Sequence, residues 1–149
     1  MPGLDASGAK VHVVAARFND EIVERLLQGA TQTWQRLGGR ADGLLVSRVP
    51  GAFELPVAAS AIARRYAPDA IVALGCVIRG DTAHFEYVAG QCAAGLMRVS
   101  LDSGVPVIFG VLTVDTFEQA AARAQPGEGN KGGEAMAAAI EMMQVLRKT

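Results

Sequence analysis

Two cysteines and two histidines are all that this 149-residue chain offers a soft metal ion, and Cys76, Cys92, His12 and His84 are scattered along it. No spacing among them matches a zinc or iron site, so no metal is expected. Cys76 sits in an apolar, strand-like run and Cys92 in a helical pattern. Such a pair builds no disulfide framework, which favours a reducing compartment and a cytoplasmic location. Apolar surroundings also keep a thiol neutral, which argues against Cys76 as a nucleophile. Charge is scarce too: 19% of residues, with a net −1. That balance speaks against nucleic acid or an anionic membrane as a partner. No apolar run approaches the roughly 18 residues that cross a bilayer. Residues 1–10 lack the charged-then-apolar layout of a secretory leader. Repeats, linkers and low-complexity segments are absent, so the chain reads as an N-terminal extension, 1–10, and one domain, 11–149.

What the chain has is apolar residues, at 50%, with a mean hydropathy of +0.24. This length buries a core without disulfides or a structural metal. The apolar excess points either to an alanine-rich core or to contacts between subunits. Short β-branched runs alternate with longer helical patterns. Strands are expected at Val11–Ala16, 43–49, Ala70–Ile78 and 105–112. Helices are expected from Asn19 or Asp20 to the Gly38-Gly39 stop, over 54–66 with Pro56 in the first turn, and over 84–101. A short helix capped by Asp115 follows, and an amphipathic helix over 132–147 closes the chain. Strands separated by helices pair in parallel through right-handed crossovers. Near-continuous apolar strands imply helices on both faces. The expectation is a flavodoxin-like, three-layer αβα domain with a four-stranded parallel sheet.

Ligands of open α/β sheets bind beyond the carboxyl ends of the strands. The segments there are Arg17-Phe18-Asn19-Asp20, Pro50-Gly51-Ala52-Phe53-Glu54, Arg79-Gly80-Asp81-Thr82-Ala83-His84, and Phe109-Gly110 with Thr113. Together they offer aromatics, carboxylates, free amides and a histidine, the makings of a small-molecule site. Gly80-Asp81-Thr82 begins a helix, where unpaired amides suit either a phosphate or ordinary capping by Asp81 or Thr82. His84 reads either as a general base or as a solvated first-turn residue. His12 alternates with valines as a packed strand residue. Gly127-Glu128-Gly129-Asn130-Lys131-Gly132 spells a dinucleotide fingerprint, but no strand leads into it, so the reading is rejected. Arg123, just before that loop, could clamp an anion.

These segments, with Val49-Pro50-Gly51-Ala52-Phe53-Glu54-Leu55-Pro56, Leu74-Gly75-Cys76-Val77-Ile78-Arg79-Gly80, Thr82-Ala83-His84-Phe85-Glu86-Tyr87-Val88, Val105-Pro106-Val107-Ile108-Phe109-Gly110 and Gly129-Asn130-Lys131-Gly132, resemble the lumazine synthase family of riboflavin biosynthesis. The likeness runs from about Val11 to the C-terminus. It implies condensation of 5-amino-6-(D-ribitylamino)uracil with 3,4-dihydroxy-2-butanone 4-phosphate, without any cofactor. It implies that Phe18 stacks on the pyrimidine and that Ala52, Phe53 and Glu54 hold the ribityl chain. Cys76, Val77 and Ile78 would offer backbone groups to the uracil. Asp81 and Thr82 would bind phosphate, and His84 would shuttle protons. It further implies homopentamers, some building sixty-subunit shells, in which a neighbouring subunit brings Phe109, Arg123 and Lys131. Two other readings share the fold: a flavin- or lumazine-binding module without turnover, and a shell-forming protein with a vestigial site.

Overall fold

The central strands are the segments buried along their whole length. In the computed structural model, which describes residues 3–80 and 84–149, β1 (Val11–Ala16) and β3 (Ala70–Ile78) are buried at every position. β2 (Leu44–Val49) and β4 (Val107–Val114) flank them in the order β2-β1-β3-β4. Every pairing is parallel, as expected from the alternation of strands and helices. β2 departs from the expected continuous burial. It is an edge strand, and its Leu45 and Val46 are exposed.

Helices α1 (Asp20–Arg36), α4 (Phe117–Arg123) and α5 (Lys131–Arg147) cover one face of the sheet. Helices α2 (Leu55–Tyr66) and α3 (Phe85–Ser103) cover the other. In α1 the buried residues Ile22, Val23, Leu26, Ala30, Thr33 and Trp34 recur at three- and four-residue spacing, the signature of one buried stripe. Burying a side chain such as Ile22 or Leu26 contributes about 1.5–3 kcal/mol. Gly38, at φ +87°, turns the chain out of this helix as a left-handed terminator. Residues near the N-terminus join the same core: Ala6 is fully buried, and its amide donates to the Leu37 carbonyl at 2.9 Å.

Among the boundaries that differ from expectation, the starts of β4 and α4 move for local reasons. β4 begins at Val107 rather than 105. Pro106 has no N–H, Ser103 Oγ accepts the Val105 amide at 3.1 Å, and Ser100 Oγ accepts that of Val107 at 2.8 Å. α4 is capped by Thr116, not Asp115. Thr116 Oγ1 accepts the Gln119 amide, and Gln119 Oε1 accepts the Thr116 amide in return, a capping box. Asp115 pairs instead with Arg79 at 2.9 Å.

His12 is the packed strand residue expected. Its Nε2 lies 2.7 Å from Ser47 Oγ, tying β1 to β2, and its ring meets Tyr66 edge-on at 5.1 Å. Nδ1 is buried without a hydrogen-bond partner. Burial pushes the imidazole pKa below its ordinary 6.5. The unfolded chain therefore binds the proton more readily. The stabilisation is complete above pH 6.5 and is lost as pH falls through 6.5 toward the folded value. Melting temperature measured against pH should show a falling limb below that point, and His12→Val should flatten it. A limb of unchanged slope in the variant would assign it to other groups.

Candidate active site

The site starts from a mismatch in strand length. β1 last pairs with β3 at Ala15 and Leu74, whereas β3 runs on to Ile78 beside Val114 of β4. Beyond Ala16 the chain leans toward β2: the Arg17 amide donates to Val49 O at 2.8 Å and that of Phe18 to Pro50 O at 3.0 Å. A gap opens on the β1 side of β3. The amides of Ile71 and Arg79 donate to Pro106 and Val114 on the β4 side. Backbone groups alternate along a strand, so those of Cys76 and Ile78 turn toward the gap. One of them is taken, since Asn19 Nδ2 donates to Cys76 O at 2.9 Å. Asn19 adopts the left-handed conformation, φ 60° and ψ 45°, and its side chain makes no cap bond. Asparagine tolerates that region better than most residues, and here it spends its amide across the gap. The gap lies between β1, whose helix leads out to β2, and β3, whose helix leads the other way. That is the switch point at which α/β sheets hold ligands.

A cavity of about 260 Å³ occupies this gap. Phe18, Ala52, Phe53, Glu54, Cys76, Val77 and Ile78 line it, so seven of the expected residues from three separate segments converge. Phe18 and Phe53 stand 55% and 57% exposed, a large apolar area left to a ligand or a second chain. Glu54 closes a short 3-10 turn, Ala52–Glu54, where its carboxylate reaches the cavity. Gly51 makes room for it: a β-carbon there would come 3.3 Å from Glu54 Oε1.

His84 is exposed at the N-cap of α3, its ring 6.4 Å from that of Tyr87. It is not among the cavity's lining residues. Val88, which lines it, donates its amide to the His84 carbonyl at 2.9 Å. One helical turn is about 5.4 Å, so His84 caps the helix one turn from a cavity-lining residue. Asp81 and Thr82 lie outside the described residues. Val88 was missed as a site residue from the sequence, and Gly51 and Asn19, though in the strand-end segments, were given no role in the site. The four-residue spacing from His84 could have pointed to Val88. Cys92 is fully buried on α3, and burial pushes its thiol pKa up to about 11, away from reactivity.

Phe109, Arg123 and Lys131 also come together, but elsewhere. They line a second cavity of about 480 Å³ on the outer edge of β4, with β3 between it and the first. Phe109 is 44% exposed there. The Arg123 guanidinium folds back on its own helix, donating to Gln119 O at 3.0 Å, and Lys131 Nζ sits 3.0 Å from Glu134. Asn130 caps α5 through the Gly133 amide, and its Nδ2 donates to the carbonyls of Arg25, Ala124 and Gln125. The glycine-rich run thus docks a helix start. It does not follow a strand, in line with the rejected dinucleotide reading.

The fold and these cavities define a flavodoxin-like α/β protein with a cavity where its strands run out. The family model for 6,7-dimethyl-8-ribityllumazine synthase matches residues 8–147. The 6,7-dimethyl-8-ribityllumazine synthases of two strains of Thermus thermophilus are 50% identical to the chain over 145 residues, covering 97% of it and 92% of theirs. The chain belongs to the 6,7-dimethyl-8-ribityllumazine synthase family. Among the described residues no helix is long and apolar enough to cross a membrane.

Proposed function

We propose that this protein condenses 5-amino-6-(D-ribitylamino)uracil with 3,4-dihydroxy-2-butanone 4-phosphate to give 6,7-dimethyl-8-ribityllumazine, phosphate and water. The observation that carries this reading is the cavity at the β1–β3 switch point, lined by the seven residues from Phe18 to Ile78 in a chain of this family. Phe18 takes the face of the pyrimidine. The inward-turned backbone of Ile78 meets the amide edge of the uracil. Glu54 accepts hydrogen bonds from ribityl hydroxyls. The 5-amino group attacks the ketone and loses water to form an imine. Loss of the C3 proton drives phosphate off C4, the enol so formed takes up a proton to become a ketone at C3, the ribitylamino nitrogen closes the ring on that new carbonyl, and a second water departs. His84 moves protons in these steps, while Asp81 and Thr82 hold the phosphate with Arg123.

The two cavities of one chain lie on different parts of its sheet, and Phe109, Arg123 and Lys131 line only the outer one. In this reading they serve the first cavity of a neighbouring copy, so the working unit is an oligomer. The family resemblance makes it a pentamer, and sedimentation separates that from a sixty-subunit shell. A binding module for the lumazine product has no use for a phosphate clamp, so His84 and Arg123 together favour turnover.

Mixing the two substrates with the protein and following lumazine absorbance tests the activity. His84→Ala should lower kcat about tenfold, less than is usual for a positioned acid–base group. Holding the amine against the ketone supplies much of the acceleration, and that remains in the variant. Complete loss with binding and assembly intact would contradict this division of labour. No lumazine from the unaltered protein would sink the reading as a whole.

A further inference from the structure

The guanidinium of Arg79 joins three elements at the lip of the first cavity. Its own amide is fixed at the end of β3 by Val114 O at 2.8 Å. Its Nε donates to Asp115, just past β4, at 2.9 Å. Its Nη1 lies 3.7 Å from Glu86, in the first turn of α3. Its central carbon sits 4.7 Å above the ring of Phe85, the first residue of that helix. Edge and face of one planar group are thus both in use, on the two residues that directly follow His84. We propose that Arg79 is a positioning residue: by gripping Phe85 and Glu86 from a fixed strand end, it sets where the His84 imidazole stands relative to the cavity.

Three observations carry this. Arg79 adjoins Ile78, a cavity-lining residue, so its anchor belongs to the site's own wall. The side chain is 56% exposed, as are its partners to a greater degree. Exposed ion pairs contribute little to stability, so folding alone gives small reason for the arrangement. The contact with Phe85 needs a flat cation, which a lysine ammonium cannot supply in the same geometry while also bridging two carboxylates. His84 is the N-cap of that helix, so its backbone moves with the first turn of α3.

The inference rests on the proton-moving role given to His84 above, and a double-mutant cycle keeps the two apart. Arg79→Ala, His84→Ala and the double variant are compared by kcat, by KM for each substrate and by melting temperature. A shift of a reacting group by a fraction of an ångström supports an expectation of about a fivefold loss of kcat for Arg79→Ala, with melting temperature and the pyrimidine KM little changed. Arg79→Lys should recover only part of it. The double variant should be no slower than His84→Ala alone, because the positioned group is already gone. Multiplying losses would overturn the positioning role while leaving His84 in place, as would unchanged kcat in Arg79→Ala beside a slow His84→Ala. Full kcat in His84→Ala would remove the His84 role first, and the positioning role with it.

Discussion

Arg123→Ala should raise the KM for the phosphorylated ketone roughly 100-fold, from the loss of one or two charge-assisted hydrogen bonds of about 1.5–3 kcal/mol each. The KM for the pyrimidine should move little. Arg123 lines the cavity on the outer edge of β4 with Lys131 and Phe109. Among the described residues its guanidinium bonds the Gln119 carbonyl of its own helix, an exposed contact that a dianion readily outcompetes. A capping box fixes the start of that seven-residue helix, so the arginine swings from a firm base. Arg123→Lys keeps the charge and loses the fork, and should fall between the two. Steady-state kinetics with each substrate varied in turn makes the check. Equal increases in both KM values would mean that the residue shapes the cavity rather than binding phosphate.

Gly132→Ala should cost about 3 kcal/mol, the upper end of what overpacking does, and lower the melting temperature by about 10 °C. A β-carbon at Gly132 would run into the carbonyl oxygen of Leu26 in α1 and the backbone atoms behind it. Backbone cannot rotate aside as a side chain can, so α5 would have to back away from α1. Gly133→Ala is the contrast. There the nearest obstacle is the Thr33 hydroxyl at 2.8 Å, the end of a side chain that can turn. That variant should lose far less. A Gly132→Ala protein that melts with the unaltered one would show that α5 shifts without penalty. Because Lys131 begins α5, any such shift would also reach the outer cavity.

Much of this fold is written locally. β1 and β3 stand where expected because a run such as Ala70–Ile78, nine residues with no charge, is comfortable only between two covered faces. Boundaries slipped where one hydrogen bond decided them. Asp115 and Thr116 are both capping types, each with an acid or amide three residues on (Glu118, Gln119), so the pattern allows either and the hydrogen bonds select Thr116. The convergence of Phe18 and Glu54 follows from reading what comes after each strand, which needs only the parallel topology, whereas Ile78, inside its strand, came from the family resemblance. The separation of Phe109, Arg123 and Lys131 into another cavity needs the strand order, with β4 outermost, and no local pattern carries that. The Arg79 contacts were equally hidden. They depend on β3 outrunning β1 and on where α3 starts, and Arg79 alone looks like any charged residue after a strand.

The lock between α1 and α5 also bears on how the protein is made. Asn130 reaches back 105 residues to the carbonyl of Arg25, and Met136, Ile140 and Met143 complete the core laid down by β1, β3 and α1. A ribosome delivers those methionines and that isoleucine after β1, β3 and α1. Until they emerge, the nascent chain shows water the apolar stripe of Ile22, Leu26 and Trp34, an adhesive surface on an otherwise finished sheet. Docking of the seventeen-residue α5 is therefore the step that takes this sticky surface out of solvent.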